Sequence, residues 1–145
     1  MIGLLQRVSS ASVTIDEVAV ASIGPGLLVL VGVKPIDDEG AALRLLQRIL
    51  KYRVFSDVAG KMNLNLRQID GDLLLVPQFT LAADTRQGLR PGFSTAAPPA
   101  QARLLFESLV RAAQAQHPRV QSGIFGAHMQ VALVNDGPVT LWLES

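Results

Sequence analysis

The most restrictive stretch of this 145-residue chain is the apolar run from Gly26 to Val33, "GLLVLVGV", entered through Gly24-Pro25. It carries no polar residue that could give it a wet face. It therefore reads as a strand buried on both sides and bounded by Gly and Pro. Such a strand needs cover above and below it. The run is also far too short for a membrane span, which takes roughly 20 apolar residues.

Two helices are available as cover. Between Asp37 and Val54, Leu43, Leu46, Ile49 and Leu50 recur at helical spacing, with Asp37 or Asp38 placed to cap the start. Pro98-Pro99 open a second helix with Ala102, Leu105, Phe106, Leu109 and Ala113 on one face, ending near His117-Pro118. The remaining signals are strands. Val13, Ile15, Val18 and Val20 flank a hairpin turn at Asp16-Glu17, and "YRVFSD" is strand-like. Leu73 to Val76 end at Pro77, and three strands follow the second helix: Val120–Phe125, His128–Val134 and Val139–Leu143. "VAGKMNLNLRQIDGD" reads as a polar loop. The segment from Ala82 to Ala97 is a long loop of the kind that often carries function. With no repeat and no linker, residues 1–145 form one compact α+β domain of mostly antiparallel strands with two main helices.

Composition narrows the function classes. The chain is 49% apolar and 17% charged, too apolar for disorder. Its net charge of +1, from 13 basic and 12 acidic residues, excludes a strongly basic, non-specific nucleic-acid binder. A protein that grips only one end of an RNA remains possible. With no Cys there is no disulfide, thiolate nucleophile or Cys-ligated metal. No secretory signal opens the sequence, so a soluble cytoplasmic protein is expected.

Catalytic constellations are scarce. Of the two His residues, His117 reads as a helix-end cap and His128 as structural or solvent-facing. No HExxH or GxxxxGK[ST] pattern occurs, so neither a metal nor another cofactor is expected. Two segments stand out. "LLLVPQFTLAADT" runs a buried strand into polar residues, where Phe79 alone would be a core anchor and Thr80 a capping hydroxyl. In "VNDGPVTLWLES", Gly137-Pro138 breaks a strand pattern, and alone it reads as a turn.

Together, "QRVSSASV", "KMNL", "QFTLAADT", "GFSTAAPP" and "FGAHMQVALVNDGPVT" resemble the D-aminoacyl-tRNA deacylases over essentially the whole chain, in order. The resemblance implies a barrel-like or sandwich domain and a homodimer in which each Gly-Pro turn reaches the partner's active site. The Gly137-Pro138 bond is then cis, and the reaction is ester hydrolysis of D-aminoacyl-tRNA and mischarged glycyl-tRNA. On this reading Gln78, Phe79 and Thr80 line the catalytic end, and the backbone of Gly137 and Pro138 sieves against L-aminoacyl groups. Met129 matches a pocket position, with an ordinary core Met as the alternative. Arg7 is placed to orient the Gly-Pro turn, or else is simply solvated. Lys61, Arg86 and Arg90 are candidates for contact with the tRNA acceptor end. Thr80 lacks a base to activate it, which favours attack by water assisted by the terminal ribose 2′-hydroxyl. One departure is notable: the family has Ser where this chain has Pro77. That leaves open a protein that binds aminoacyl-tRNA without hydrolysing it.

Overall fold

The computed structural model describes residues 1–86 and 88–145. Strands β1 (Ile2–Ile15), β2 (Val18–Ile23) and β3 (Gly26–Gly32) lead into helix α1 (Glu39–Lys51). The short strands β4 (Phe55–Ser56) and β5 (Met62–Leu64) follow, then β6 (Asp72–Pro77) and a single 3₁₀ turn at Phe79–Ala82. Helix α2 (Pro99–Gln116), β7 (Val120–Ser122) and β8 (Gln130–Glu144) complete the chain. The main sheet runs β2-β1-β3-β6-β7, with β8 also paired to β1. The pairings of β1 with β2, β3 and β8 are antiparallel, while β3-β6 and β6-β7 are parallel.

The apolar run of β3 is buried on both faces, as its sequence requires, by two different means. Leu27, Val29 and Val31 join Leu73 and Leu75 in a core shared with Leu45, Leu46, Ile49, Leu105, Phe106 and Leu109 of the helices. Leu28 points the other way, joining Leu74 and Val76 against Val8, Val13, Ala21 and Ile23. Both helices lie over the first face. The second is covered by the sheet itself, which curls until β2 approaches β7. Gln121 closes that seam: its side chain accepts from Ser22 N at 2.8 Å and donates to Ser22 O at 2.6 Å. The side-chain amide thus stands in for a missing ladder pair between two edge strands. The result is a nearly closed barrel-like sheet with two helices packed on its outside.

Local signals behave as elementary chemistry dictates at most element ends. Asp16 and Glu17 both adopt positive φ, 47° and 65°, in the hairpin turn. Asp38 caps α1 by accepting from Ala41 N at 2.7 Å. Asp37 is occupied differently: it is buried against the Met1 ammonium at 2.6 Å and accepts from Lys34 N. Pro98 and Pro99 start α2 as expected, and its five expected apolar positions are all buried.

Several expectations need correction: Leu43 is exposed while Leu46, Ile49 and Leu50 are buried, and the strand expected over Val120–Phe125 stops at Ser122. The polar loop after β4 contains β5, which pairs with β4. His128 lies outside any strand, because β8 begins at Gln130. The two closing strands are one: β8 pairs with β1 on both sides of Gly137-Pro138. From Gln6 to Val8, two steps along β1 face five steps along β8, from Thr140 to Asn135. The excess residues are extruded as a loop from a continuous strand, so Gly-Pro is a bulge and not a hairpin turn.

Candidate active site

Gln78 continues the β6 ladder, its N–H reaching Val31 O at 2.7 Å, before the chain turns sharply into the 3₁₀ segment. That turn lies against the end of β3, where a glycine is needed. A Cβ on Gly32 would stand 3.0 Å from Leu81 Cβ and 3.3 Å from Gln78 O. Leu81 N bonds Gln78 O, and Ala83 N bonds Thr80 O. The amides of Phe79 and Thr80 precede the first bond of the turn and have no intrahelical acceptor.

Phe79 is 53% exposed, so it is not the core anchor its residue type suggests. Its ring meets Phe93, also half exposed, with centroids 5.0 Å apart at 55°. Phe93 belongs to the long loop, which is held back onto the body. Thr95 Oγ1 donates to Ala82 O, Ala97 N to Val33 O, and Asp84 and Gly92 exchange backbone bonds of 2.8 and 2.9 Å. Gln78 Nε2 donates to Thr80 Oγ1 at 2.5 Å. No His or carboxylate bonds Thr80 among the described residues. His117 is buried at the end of α2 with Nε2 at 2.7 Å from Gly71 O, and His128 is exposed. No cluster able to hold a metal ion occurs among the described residues.

Met129 lies on this side of the molecule. A Cβ on Gly123 would meet Met129 Sδ at 2.8 Å and Pro77 Cδ at 3.4 Å, so the thioether and the proline ring converge there. Met129 is partly buried against the second core, as the core-Met reading expects. Pro77 is easily accommodated. Leu73 N and Leu75 O bond towards β7, whereas Gln78 N bonds towards β3. Alternation aims the nitrogen of residue 77 at the β7 side, beyond the last β6-β7 pair at Leu75–Ser122. A proline there removes no ladder bond.

The Gly-Pro loop is built separately. The Gly137-Pro138 bond is cis and both residues are exposed. Gly137 has φ +130°, and an added Cβ would lie 2.8 Å from Arg7 Nη2. Arg7 reaches under the loop: Nε donates to Asp136 O at 2.9 Å and Nη1 to Val54 O at 2.6 Å, with Asp136 Oδ2 at 3.2 Å. Its side chain is only 13% exposed, so the solvated-Arg alternative does not hold. Asn135 secures the other flank, accepting from Val139 N at 2.9 Å and donating to Thr140 Oγ1 at 2.8 Å. Sequence reading assigned nothing to Asn135, although an Asn ahead of Gly-Pro is a recognisable side-chain-to-backbone turn signal.

The sequence-derived residues therefore form two groups. Gln78, Phe79, Thr80 and Met129 lie around the end of β6, while Arg7, Gly137 and Pro138 form the second group. Ile2 pairs with Gly32, beside the 3₁₀ turn, whereas Arg7 pairs with Leu27. Five residues of strand separate these points, roughly 17 Å. Of the loop cations, Lys61 lies exposed at the start of β5, and Arg90 is exposed. Arg86 clamps Asp84 at 2.9 Å, and that hydrogen bond holds the Asp84 carboxyl far below the usual carboxylate range.

Comparison with known proteins gives a consistent result. Residues 4–144 match the model of the family described as D-Tyr-tRNA(Tyr) deacylase. A D-aminoacyl-tRNA deacylase of Azotobacter vinelandii is 60% identical over 145 residues, covering all of both chains. One of Ectopseudomonas mendocina is 60% identical over 141 residues, 97% of each. A solved structure titled c-Myc DNA Unwinding Element Binding Protein superposes with a TM-score of 0.96 at 36% identity, over 100% of this chain and 99% of the other.

Proposed function

The chain belongs to the D-Tyr-tRNA(Tyr) deacylase family, and from that premise we propose how its two groups of residues divide the work. It is a hydrolase that cleaves the ester of D-aminoacyl-tRNA. In our reading the end of β6 handles the ester, and the Gly137-Pro138 backbone of a second subunit selects the amino acid. The observation that carries this reading is the exposed Gly-Pro loop, fixed from beneath by Arg7 and lying far along β1 from Thr80. A loop so placed serves the ester end of another copy better than its own.

The steps follow from hydrogen bonding and shape. The carbonyl oxygens of Gly137 and Pro138 accept from the α-ammonium of the bound aminoacyl group. With ammonium and ester fixed, an L side chain runs into the backbone wall and a D side chain points outward. Glycine, which has no side chain, also enters. Water adds to the ester carbonyl with help from the terminal ribose 2′-hydroxyl. The amides of Phe79 and Thr80 receive the developing oxyanion, an interaction worth about 2.7–4 kcal/mol per donor in other enzymes. The C–O bond to the ribose then breaks, releasing free amino acid and tRNA. Thr80 positions rather than attacks, since its hydroxyl already accepts from Gln78 and no base bonds it among the described residues. Met129 supplies an adaptable wall for different side chains. This work falls in the cytoplasm, where aminoacyl-tRNA is proofread, and no described helix is long and apolar enough to cross a membrane.

The binding-only alternative rested on Pro77. Its nitrogen faces β7 beyond the last β6-β7 pair, so the geometry of Gln78-Phe79-Thr80 is formed with proline in place, and this favours turnover. The test is hydrolysis of matched D- and L-tyrosyl-tRNA, with glycyl-tRNA alongside. Loss of the D and glycyl esters with the L ester spared is expected. Stable binding of D-tyrosyl-tRNA with its ester intact would restore the alternative.

A further inference from the structure

A line of connected grooves leads away from the 3₁₀ turn, and cations follow it. The first groove, about 570 Å³, is lined by Leu81, Lys34, Trp142 and Glu144 among others. The next shares Glu144 and adds Arg44 and Arg48, and a third shares Arg48 and adds Lys51 with Tyr52. Arg44, Arg48 and Lys51 stand at i, i+4 and i+7, so they share the outward face of α1 over about 10 Å. Their acidic neighbours neutralise little of this charge. Asp38 reaches Arg44 only at 3.9 Å, with both side chains well exposed. Glu144 is committed to Lys34 Nζ at 3.1 Å and to Trp142 Nε1 at 3.0 Å. Lys51 has no ion pair among the described residues.

Trp142 begins this line, and its geometry is informative. The indole N–H is pinned by Glu144, yet half of the residue remains exposed. A large aromatic ring held at its edge and half exposed can act as a stacking platform for an unpaired base. Beyond it come the exposed cations Arg44, Arg48 and Lys51 of α1, which line the next two grooves. That order, ester end, stacking surface, then a row of cations, corresponds to a single-stranded 3′ end continuing into a phosphate backbone.

Resting on the deacylase reading above, we propose that Trp142 and the outward face of α1 are the docking surface for the 3′ strand and acceptor-stem phosphates of the tRNA. The surface places the ester, and an overall charge of +1 gives no sign of this local row of Lys34, Arg44, Arg48 and Lys51. Lys61, on the β4-β5 turn, lies outside this line, and Arg86 is already committed to Asp84.

The test compares two substrates, D-tyrosyl-tRNA and the D-tyrosyl ester of adenosine, which has no stem. The variant combines Arg44→Gln with Lys51→Gln, exposed positions remote from the ester chemistry, and thermal melting verifies its fold. With tRNA, KM rises while kcat holds, and the dependence of log(kcat/KM) on log salt falls by about two, one per lost phosphate contact. A fourfold rise in salt then lowers the affinity of the wild type about tenfold more than that of the variant. Hydrolysis of the adenosine ester is unchanged. Trp142→Leu raises KM for tRNA without altering the salt slope. Equal losses on both substrates, or an unaltered salt slope in the double variant, would overturn the proposal. Failure of the wild-type protein to cleave either ester would instead overturn the deacylase reading beneath it.

Discussion

Replacing Arg7 with Met should loosen the Gly-Pro loop while keeping the apolar stem that packs beneath it. Two charge-assisted hydrogen bonds are lost, to Val54 O at 2.6 Å and Asp136 O at 2.9 Å. Such bonds contribute about 1.5–3 kcal/mol each when sheltered. The first counts nearly in full, because Val54 is buried at 3% exposure and its carbonyl is left unpaired. The second is reduced by solvent, and the ion pair to the largely exposed Asp136 adds less than about 1 kcal/mol. Together these predict a loss of about 3 kcal/mol, or roughly 9 °C in Tm for a chain of this size. Urea and thermal unfolding at fixed protein concentration measure the loss, since an oligomer's stability depends on concentration. The ratio of D- to L-tyrosyl-tRNA hydrolysis measures the function, and it should fall further than stability alone explains. Arg7→Lys recovers only part of both, because one ammonium cannot reproduce the guanidinium fork across two carbonyls. A loss below about 1 kcal/mol with an unchanged D/L ratio would show that the loop is held by something other than Arg7.

Three further outcomes follow from the geometry. Gly137→Ala places a methyl group 2.8 Å from Arg7 Nη2 at a φ of +130°, so it should lower both Tm and D-ester turnover, whereas Gly60→Ala on an open turn should leave turnover unchanged. Glu144 is held below its ordinary value of 4.5, first by the Trp142 hydrogen bond and then by Lys34. A depressed carboxylate keeps its contribution above the ordinary pKa and loses it only as pH falls through the lowered one. Emission from Trp142, the only Trp, should therefore stay constant from about pH 8 to 5 and change only below the usual glutamate range. A transition at or above that range would contradict the contact. Pro77→Ser should shift stability by less than about 1 kcal/mol, because no ladder bond is regained and only unfolded-chain freedom changes. A larger shift in urea unfolding would mean that the strand end is strained as it stands.

Much of this architecture is legible in the sequence, where the signal is local. The unbroken apolar run of β3 demands two covered faces, the helix faces follow from Leu46, Ile49, Leu105 and Leu109, and Asp16-Glu17 marks its own turn. The missing parts depend on distant partners. β8 remains one strand across Gly-Pro only because β1 supplies register on both sides, which no local pattern encodes. The second face of β3 is covered by curling of the sheet and not by a helix, so the closing contact of Gln121 with Ser22 is also hidden. Phe79 looks like a core residue by type, yet the turn after β6 carries it outward to meet Phe93. Trp142, Glu144 and Lys34 come from opposite ends of the chain, and their meeting is a property of the fold. Arg7 and Gly137 were placed in one group by family resemblance, and the hydrogen bonds supply the physical reason.

Mixing two inactive chains tests most directly whether the ester end and the selecting loop belong to different subunits. One chain carries Phe79→Pro, which removes an oxyanion amide at a position the extended Gln78 backbone tolerates, the other Gly137→Val, and the two are unfolded together and refolded as mixed dimers. If each loop serves its partner, every mixed dimer holds one intact site, and D-tyrosyl-tRNA hydrolysis returns to about a quarter of the wild-type level under random pairing. If each loop serves its own chain, every site in the mixture is defective and no activity returns.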